Sequence, residues 1–138
     1  MNRTLLKTLM IAGLTALVGT APLATPALAG GSVSFALAPR NAQDARIMDF
    51  GLRGYALYNG IRSGALVRQF GRGNQAGLAQ YGAGNVGVVR QQGDGHAATL
   101  QQVGNANSYG IFQFGRNTNA DVVQQGDGGT GATVTLGW

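Results

Sequence analysis

The sequence predicts an all-β protein, a β-solenoid with two strands in each coil and an 11-residue strand–turn unit. Three observations support this class. In the second half of the 138-residue chain a glutamine recurs every 11 residues, and a glycine follows each glutamine at a fixed distance. A fixed short period is the sequence signature of a solenoid. The composition, with 24 glycines and only 11% charged residues, is unusual for a globular domain and is typical of a repeat protein.

Residues 1–29 have the features of a secretory signal peptide. Arg3 and Lys7 form a basic start, an apolar run follows, and Ala-Leu-Ala at 27–29 has the A-x-A form of a cleavage site. Glycine and proline interrupt the apolar run, which is short for a membrane-spanning helix. We therefore expect an exported protein that begins at Gly30.

Residues 30–62 form a non-repetitive N-terminal segment. The stretch SVSFALA alternates in the manner of a short strand. Asn41, with an aspartate three positions later, is a favourable start for a helix. The residues that would share one face of this helix are Ala45, Met48, Leu52, Tyr55 and Ala56. Alternatively, the repeat begins one unit earlier and Leu52 lies in a strand. The segment would cap the first coil or serve as a flexible tether.

The repeat covers residues 63–138 and contains seven units. Its glutamines are Gln69, Gln80, Gln91, Gln102, Gln113 and Gln124. Its turn glycines are Gly71, Gly82, Gly93, Gly104, Gly115 and Gly126. Five residues after a glutamine come Asn74, Asn85 and Asn107, with His96, Thr118 and Gly129 in the same slot. The last unit is expected to carry one extra turn residue, which would put Thr130, Ala132, Val134 and Leu136 in the repeating slots.

The repeating slots lie two residues apart, which is the period of a β-strand. We therefore place the repeating side of each strand in the interior and the variable side toward solvent. Glycine and asparagine in the G-x-x-N connections supply the positive φ angles that tight turns need. Successive coils would stack about 4.8 Å apart.

Stacking explains why a polar residue repeats where a core would normally hold leucine. Each side chain lies over its counterpart in the next coil, so Gln over Gln, or Asn over Asn, can form a column of hydrogen-bonded amides. A buried amide group without a partner costs about 1–3 kcal/mol, so glutamine is favourable here only when it is repeated.

The spacing Q-x-G-x-x-N-x-A-x-x-x-Q, preceded by S-x-A-x-V-x-Q, resembles the curlin repeat. The stretch SGALVRQFGRGNQAGLAQYG at 63–82 matches one full two-strand repeat, and the resemblance extends over 63–138. His96, Thr118 and Tyr109 depart from the pattern, and Tyr109 is large for an alanine slot. Curlins are the subunits of curli, the extracellular amyloid fibres of Gram-negative bacteria.

The resemblance implies a secreted subunit of an amyloid fibre, or fimbrium, at the bacterial surface that supports adhesion and biofilm formation. It also implies partners: further copies of the chain, other curlin subunits, an outer-membrane secretion pore and accessory chaperones. A minor subunit that nucleates a partner's fibre is an alternative within the family. A monomeric solenoid that binds a carbohydrate, lipid or ice surface is a weaker alternative, because the outward slots are irregular.

Other motifs do not indicate catalysis. GAGNVG at 82–87 matches a dinucleotide-binding pattern, which requires a following helix, whereas these glycines belong to the repeat. Asp94 and Asp127 offer too few oxygen atoms for a calcium site. His96 is the single histidine and the chain has no cysteine, so we expect no metal site. Because we find no set of catalytic residues, we expect no enzyme and no cofactor. The arginines are spread along the chain and form no basic cluster, so we expect no binding to nucleic acid.

Self-assembly is the function that the sequence favours. A stack of coils leaves strand edges open at its ends, and soluble proteins normally protect such edges with charge or proline. Residues 63–138 contain no Lys, Glu or Pro. We therefore expect both ends of the solenoid to remain open for assembly.

Overall fold

A computed structural model describes residues 30–61 and 64–138. Strand β1 and helix α1 come first and seven further strands follow. The bounds are β1 Ser32–Leu37, α1 Ala42–Tyr58, β2 Gly64–Phe70, β3 Gln75–Tyr81, β4 Val86–Asp94, β5 Ala97–Val103, β6 Ser108–Arg116, β7 Asn119–Gln125 and β8 Thr130–Gly137. The predicted signal peptide, residues 1–29, lies outside the described residues.

The strands wind into a β-solenoid of about three turns, which confirms the predicted fold class. One sheet has the order β1-β8-β6-β4-β2, and we call it the five-stranded sheet. The three-stranded sheet has the order β3-β5-β7. Within each sheet, strands from β2 to β8 pair in parallel, and each residue lies opposite the residue two units later, as in Gln91 opposite Gln113. Two 11-residue units therefore make one coil.

The core lies between the two sheets and consists mainly of small aliphatic side chains. Val89 and Ile111 of the five-stranded sheet pack with Leu100, Ala98 and Ala120 of the other sheet. Val89 and Ile111 are fully buried. The space between the sheets is narrow, because a Cβ atom at Gly87 would lie 2.7 Å from the Leu78 side chain. The slots that face this core in β2 to β7 are those that the period predicted.

The register of β8 differs from the expectation. β8 continues from β6 without an extra turn residue, so Ile111 lies opposite Thr133 and Gln113 opposite Thr135. The inward residues are thus Gly131, Thr133 and Thr135, and the prediction for Thr130, Ala132, Val134 and Leu136 was wrong. Gly129 takes the asparagine slot, because its N–H donates to Asn107 Oδ1 at 2.9 Å.

Helix α1 forms where the sequence predicted it. Asn41 is its N-cap, and Oδ1 of Asn41 accepts the N–H of Asp44 at 2.8 Å, which satisfies one of the free donors of the first turn. The alternative that placed Leu52 in a strand is wrong, because Leu52 and Ala56 are the buried residues of this helix.

The helix lies across the outer surface of the five-stranded sheet, against β4, β6 and β8. Ala56 packs with Leu66 and Val88, which point outward from the sheet, and Val88 is fully buried. The expectation that the variable side of every strand faces solvent is therefore wrong for this sheet, where that side carries apolar residues. It holds for the three-stranded sheet, where residues such as Thr99 and Gln101 are exposed.

Strand β1 pairs antiparallel with β8, from Ser32 opposite Gly137 to Leu37 opposite Ala132. The N-terminal segment therefore returns to the last strand of the solenoid and does not cap the first coil. This pairing also corrects the expectation of two open ends, because one of the two sheets is covered at its C-terminal end. Within the described ranges, no helix is long and apolar enough to cross a membrane.

Candidate functional site

The candidate site is the pair of amide columns in the core, together with the strand edges where the columns end. The five-stranded sheet contributes Gln69, Gln91 and Gln113 from β2, β4 and β6, and the three-stranded sheet contributes Gln80, Gln102 and Gln124 from β3, β5 and β7. The structure thus brings the six predicted glutamines together as two columns of three.

In each column the amide nitrogen of one glutamine donates to the amide oxygen of the glutamine one coil later. Nε2 of Gln69 lies 2.8 Å from Oε1 of Gln91, and Nε2 of Gln91 lies 2.8 Å from Oε1 of Gln113. The other column has the same two steps, Gln80 to Gln102 and Gln102 to Gln124, both at 2.8 Å. All the bonds run in the same direction along the solenoid axis.

The second hydrogen of the amide group crosses the core. In each case it binds the carbonyl oxygen of the first residue of the preceding strand, which belongs to the opposite sheet. The pairs are Gln80 to Gly64, Gln91 to Gln75, Gln102 to Val86 and Gln113 to Ala97, at 2.8–3.2 Å. Gln91 and Gln102 therefore use both donors and the acceptor, which is why they can be fully buried.

The asparagines also link consecutive coils, but through the backbone. Asn85 donates from Nδ2 to the Gly104 carbonyl at 2.8 Å and accepts the N–H of Asn107 at 3.0 Å. Asn74 makes the equivalent bonds to Gly93 and to the N–H of His96. Asn85 thus lies over Asn107 as expected, but among the described asparagines no hydrogen bond joins one side-chain amide to another.

Residues that depart from the repeat find compensating contacts. His96 is buried, and its Nδ1 lies 2.7 Å from the hydroxyl oxygen of Thr118, the residue one coil later. Tyr109 fits because Gly131 lies opposite it in β8, where a Cβ atom would come within 2.6 Å of the tyrosine ring. The Tyr109 hydroxyl forms a 2.9 Å hydrogen bond with Thr133.

The turn glycines allow the coils to approach one another. All six have a positive φ, from 90° to 125°. A Cβ atom at Gly104 would lie 2.0 Å from the carbonyl oxygen of Gly126 in the next coil, and four of the others are equally close to a carbonyl oxygen. Gly126 differs, because a Cβ atom there would meet no atom within 4 Å in the described structure. The last turn of the three-stranded sheet is thus open on the side where a further coil would lie.

The two ends of the solenoid are chemically complementary. At the N-terminal end, Oε1 of Gln69 and of Gln80 accepts no hydrogen bond within the described part of the chain. At the C-terminal end, Nε2 of Gln124 donates none within the same residues. No described strand pairs with the outer edges of β2, β3 or β7. One end therefore presents amide acceptors and the other an amide donor.

Sequence reasoning missed the residues that close the remaining edge. Thr135 of β8 lies opposite Gln113 of β6, at the next position of that column. Ser34 of β1 lies opposite Thr135 in turn, and the two hydroxyl oxygens are 3.1 Å apart. Ser34 is therefore the last residue of this column. The alternation of β1 was visible in the sequence, but its partner was not. The size of Tyr109, which requires glycine at 131, was the available signal for the register of β8.

No group of three or more His, Asp or Glu side chains that could hold a metal ion occurs in the part of the chain that the structure describes. Comparisons with family models, with curated proteins and with solved structures give no match.

Proposed function

We propose that this chain is a structural subunit that assembles end to end into an amyloid-like fibre, in the manner that its resemblance to curlins implies. In this proposal the protein is exported, acts outside the cell at the bacterial surface and contributes to adhesion and biofilm formation. Its partners are further copies of itself, other curlin subunits, and the secretion pore and chaperones of a curlin system. It carries out no catalysis.

The complementarity of the two ends supports the proposal. Among the described residues, Nε2 of Gln124 donates no hydrogen bond at one end, and Oε1 of Gln69 and of Gln80 accepts none at the other. A second copy stacked on the first would continue the amide columns with the spacing that they have inside one molecule. Because the two ends differ, the contact is head-to-tail and does not close, which produces a filament.

The basic test is incubation of the chain from Gly30 to Trp138 with a thioflavin-type dye, followed by fibre diffraction. We expect dye-positive fibres with a reflection at about 4.7–4.8 Å. A chain that stays monomeric and dye-silent under all conditions would reject the proposal.

A sharper test uses Gly126→Ala. Within the monomer the new methyl group meets nothing, but in the fibre it would lie where Gly104 meets Gly126, about 2.0 Å from a turn carbonyl of the next copy. Because Gly126 has φ +108°, the added side chain also strains the turn. We expect a less stable but folded monomer, verified by circular dichroism, whose assembly rate is at least tenfold lower. Assembly of this variant at the rate of the unmodified chain would contradict stacking at this end.

The control is Gly128→Ala in the same turn. Gly128 has φ +67°, close to the 55° of Ala106 in the same turn position, and a Cβ atom at the equivalent Gly84 would keep an ordinary distance of 3.7 Å from the next coil. This variant should assemble at close to the normal rate.

A further inference from the structure

Strand β1 occupies the position that the next strand of the five-stranded sheet would need. It pairs with the outer edge of β8 through six residue pairs, antiparallel, whereas every pairing among β2 to β8 is parallel. Its backbone also continues past the strand, because Gly31 and Trp138 exchange both N–H to carbonyl bonds at 3.0 and 3.2 Å. The outer edge of β7 in the other sheet has no such cover in the described structure.

The number of strands decides how a second copy must stack. The solenoid has seven strands, β2 to β8, and consecutive strands alternate between the two sheets. The strand after β8 must therefore belong to the three-stranded sheet, so that β2 of the next copy pairs with β7 and β3 of the next copy pairs with β8. Successive copies would be rotated by about half a turn around the fibre axis. An unrotated copy would leave a gap of one strand beside β7.

This arrangement continues the column of the three-stranded sheet with glutamine on glutamine, and it continues the other column through Thr135. Nε2 of Gln124 would donate to Oε1 of the next copy's Gln69, one full coil further along the column. Thr135 would lie against the next copy's Gln80. That second contact requires the edge of β8, which Ser34 and the rest of β1 already occupy.

We propose that β1 is an intramolecular stand-in for β3 of a second copy, and that it must leave β8 before the fibre can grow from this end. The inference rests on the proposed assembly. It adds that the edge of β8 is a docking site, that β3 of a second copy binds there, and that β1 blocks it. A free chain is thus protected at one end, and incoming copies compete with β1 for the same strand edge.

The contacts of β1 are weaker than those that would replace it. Ser32, Val33, Ser34 and Ala36 are exposed, and the hydroxyl contact of Ser34 with Thr135 is the side-chain hydrogen bond that joins the two strands. A parallel strand on β8 would make seven residue pairs, as β6 does, and would bring a glutamine into the column. Pairing of β2 with β7 would occur at the same time, whereas β1 covers one sheet only.

A disulfide lock tests the inference. Because Gly31 and Trp138 form a hydrogen-bonded pair, the alternation of an antiparallel ladder makes Ser34 and Thr135 a non-hydrogen-bonded pair, with Cα atoms about 4.5 Å apart. That distance allows a disulfide. The chain has no cysteine of its own, so the variant carrying Ser34→Cys and Thr135→Cys forms one defined bridge.

We expect the oxidised variant to assemble at least tenfold more slowly than the same variant after reduction, while reductant leaves the unmodified chain unchanged. Equal growth of the oxidised and reduced forms would overturn the inference and leave the fibre proposal standing. If the unmodified chain never assembles, and weakening β1 does not make it assemble, the fibre proposal itself fails.

A second, full-length variant removes the dependence on the cysteines. Phe35→Pro deletes a backbone donor of β1 and weakens its pairing with β8. Its assembly lag should be about threefold shorter than that of the unmodified chain, and an unchanged or longer lag would overturn the inference. In fibres, the backbone amides of Val33 and Phe35 should exchange with deuterium faster than in the monomer.

Discussion

Replacing Gln102 by alanine is the most direct test of the amide columns. Gln102 is fully buried and makes three hydrogen bonds, accepting from Gln80 at 2.8 Å and donating to Gln124 at 2.8 Å and to the Val86 carbonyl at 3.2 Å. Alanine removes all three bonds and leaves an empty space between two coils. The neighbouring Gln101 has the same chemistry but an exposed side chain, so Gln101→Ala is a matched control.

The expected loss follows from the groups that are left without a partner. A buried polar group without a hydrogen bond costs about 1–3 kcal/mol. Gln80, Gln124 and Val86 are half-buried, so water reaches them in part and the lower limit applies to each. We therefore expect Gln102→Ala to reduce the free energy of unfolding by about 3 kcal/mol, and Gln101→Ala to change it by less than about 0.5 kcal/mol.

The measurement is urea unfolding of the monomeric protein, followed by circular dichroism at concentrations too low for assembly. Gln102→Leu separates packing from hydrogen bonding, because leucine fills the space but cannot bond to the column. We expect this variant to lose about 2 kcal/mol, since the neighbouring amide groups still lack their partners. If Gln102→Ala and Gln101→Ala differ by less than about 1 kcal/mol, the columns do not stabilise the solenoid and the reasoning fails.

Three further predictions concern the turns, the last strand and the helix. Gly104→Ala should lower the free energy of unfolding by about 2 kcal/mol more than Gly126→Ala. Of these two positions, only at Gly104 does the new Cβ atom lie 2.0 Å from a carbonyl oxygen. The denaturant midpoints of the two monomers measure this difference. Gly131→Ala should cost about 1–3 kcal/mol through its clash with the Tyr109 ring, and a double-mutant cycle should show most of that cost disappearing when Tyr109 is alanine. Asn41→Ala should cost about 1 kcal/mol and increase amide exchange in the first turn of α1, whereas unchanged exchange would mean that Asn41 does not cap the helix.

The repetitive part of the fold could be predicted because every coil imposes the same constraint. Gln91 and Gln113 lie opposite each other because they are two repeat units apart, and Gly93 and Gly115 follow in the turns. Local rules also sufficed for α1, because the capping bond of Asn41 depends on residues within one turn.

The parts that could not be predicted depend on contacts between distant residues. The period says nothing about β1, whose partner strand is the last strand of the chain, as the Ser34 to Thr135 contact shows. The outward residues of the five-stranded sheet, such as Val88, looked irregular because their partner is a helix and not a repeated coil. The register of β8 was predicted wrongly because Gly129 occupies the asparagine slot of the preceding turn. In earlier units that slot holds Asn, His or Thr, whose side chain identifies the position.

The position of α1 gives the two sheets different resistance to opening. Each coil of a solenoid normally touches only the coils beside it, so such stacks can open one layer at a time from either end. Here a single helix braces β4, β6 and β8, and this ties three layers of one sheet into a unit that opens together. The three-stranded sheet lacks such a brace within the described residues, so its layers should separate first under force or heat.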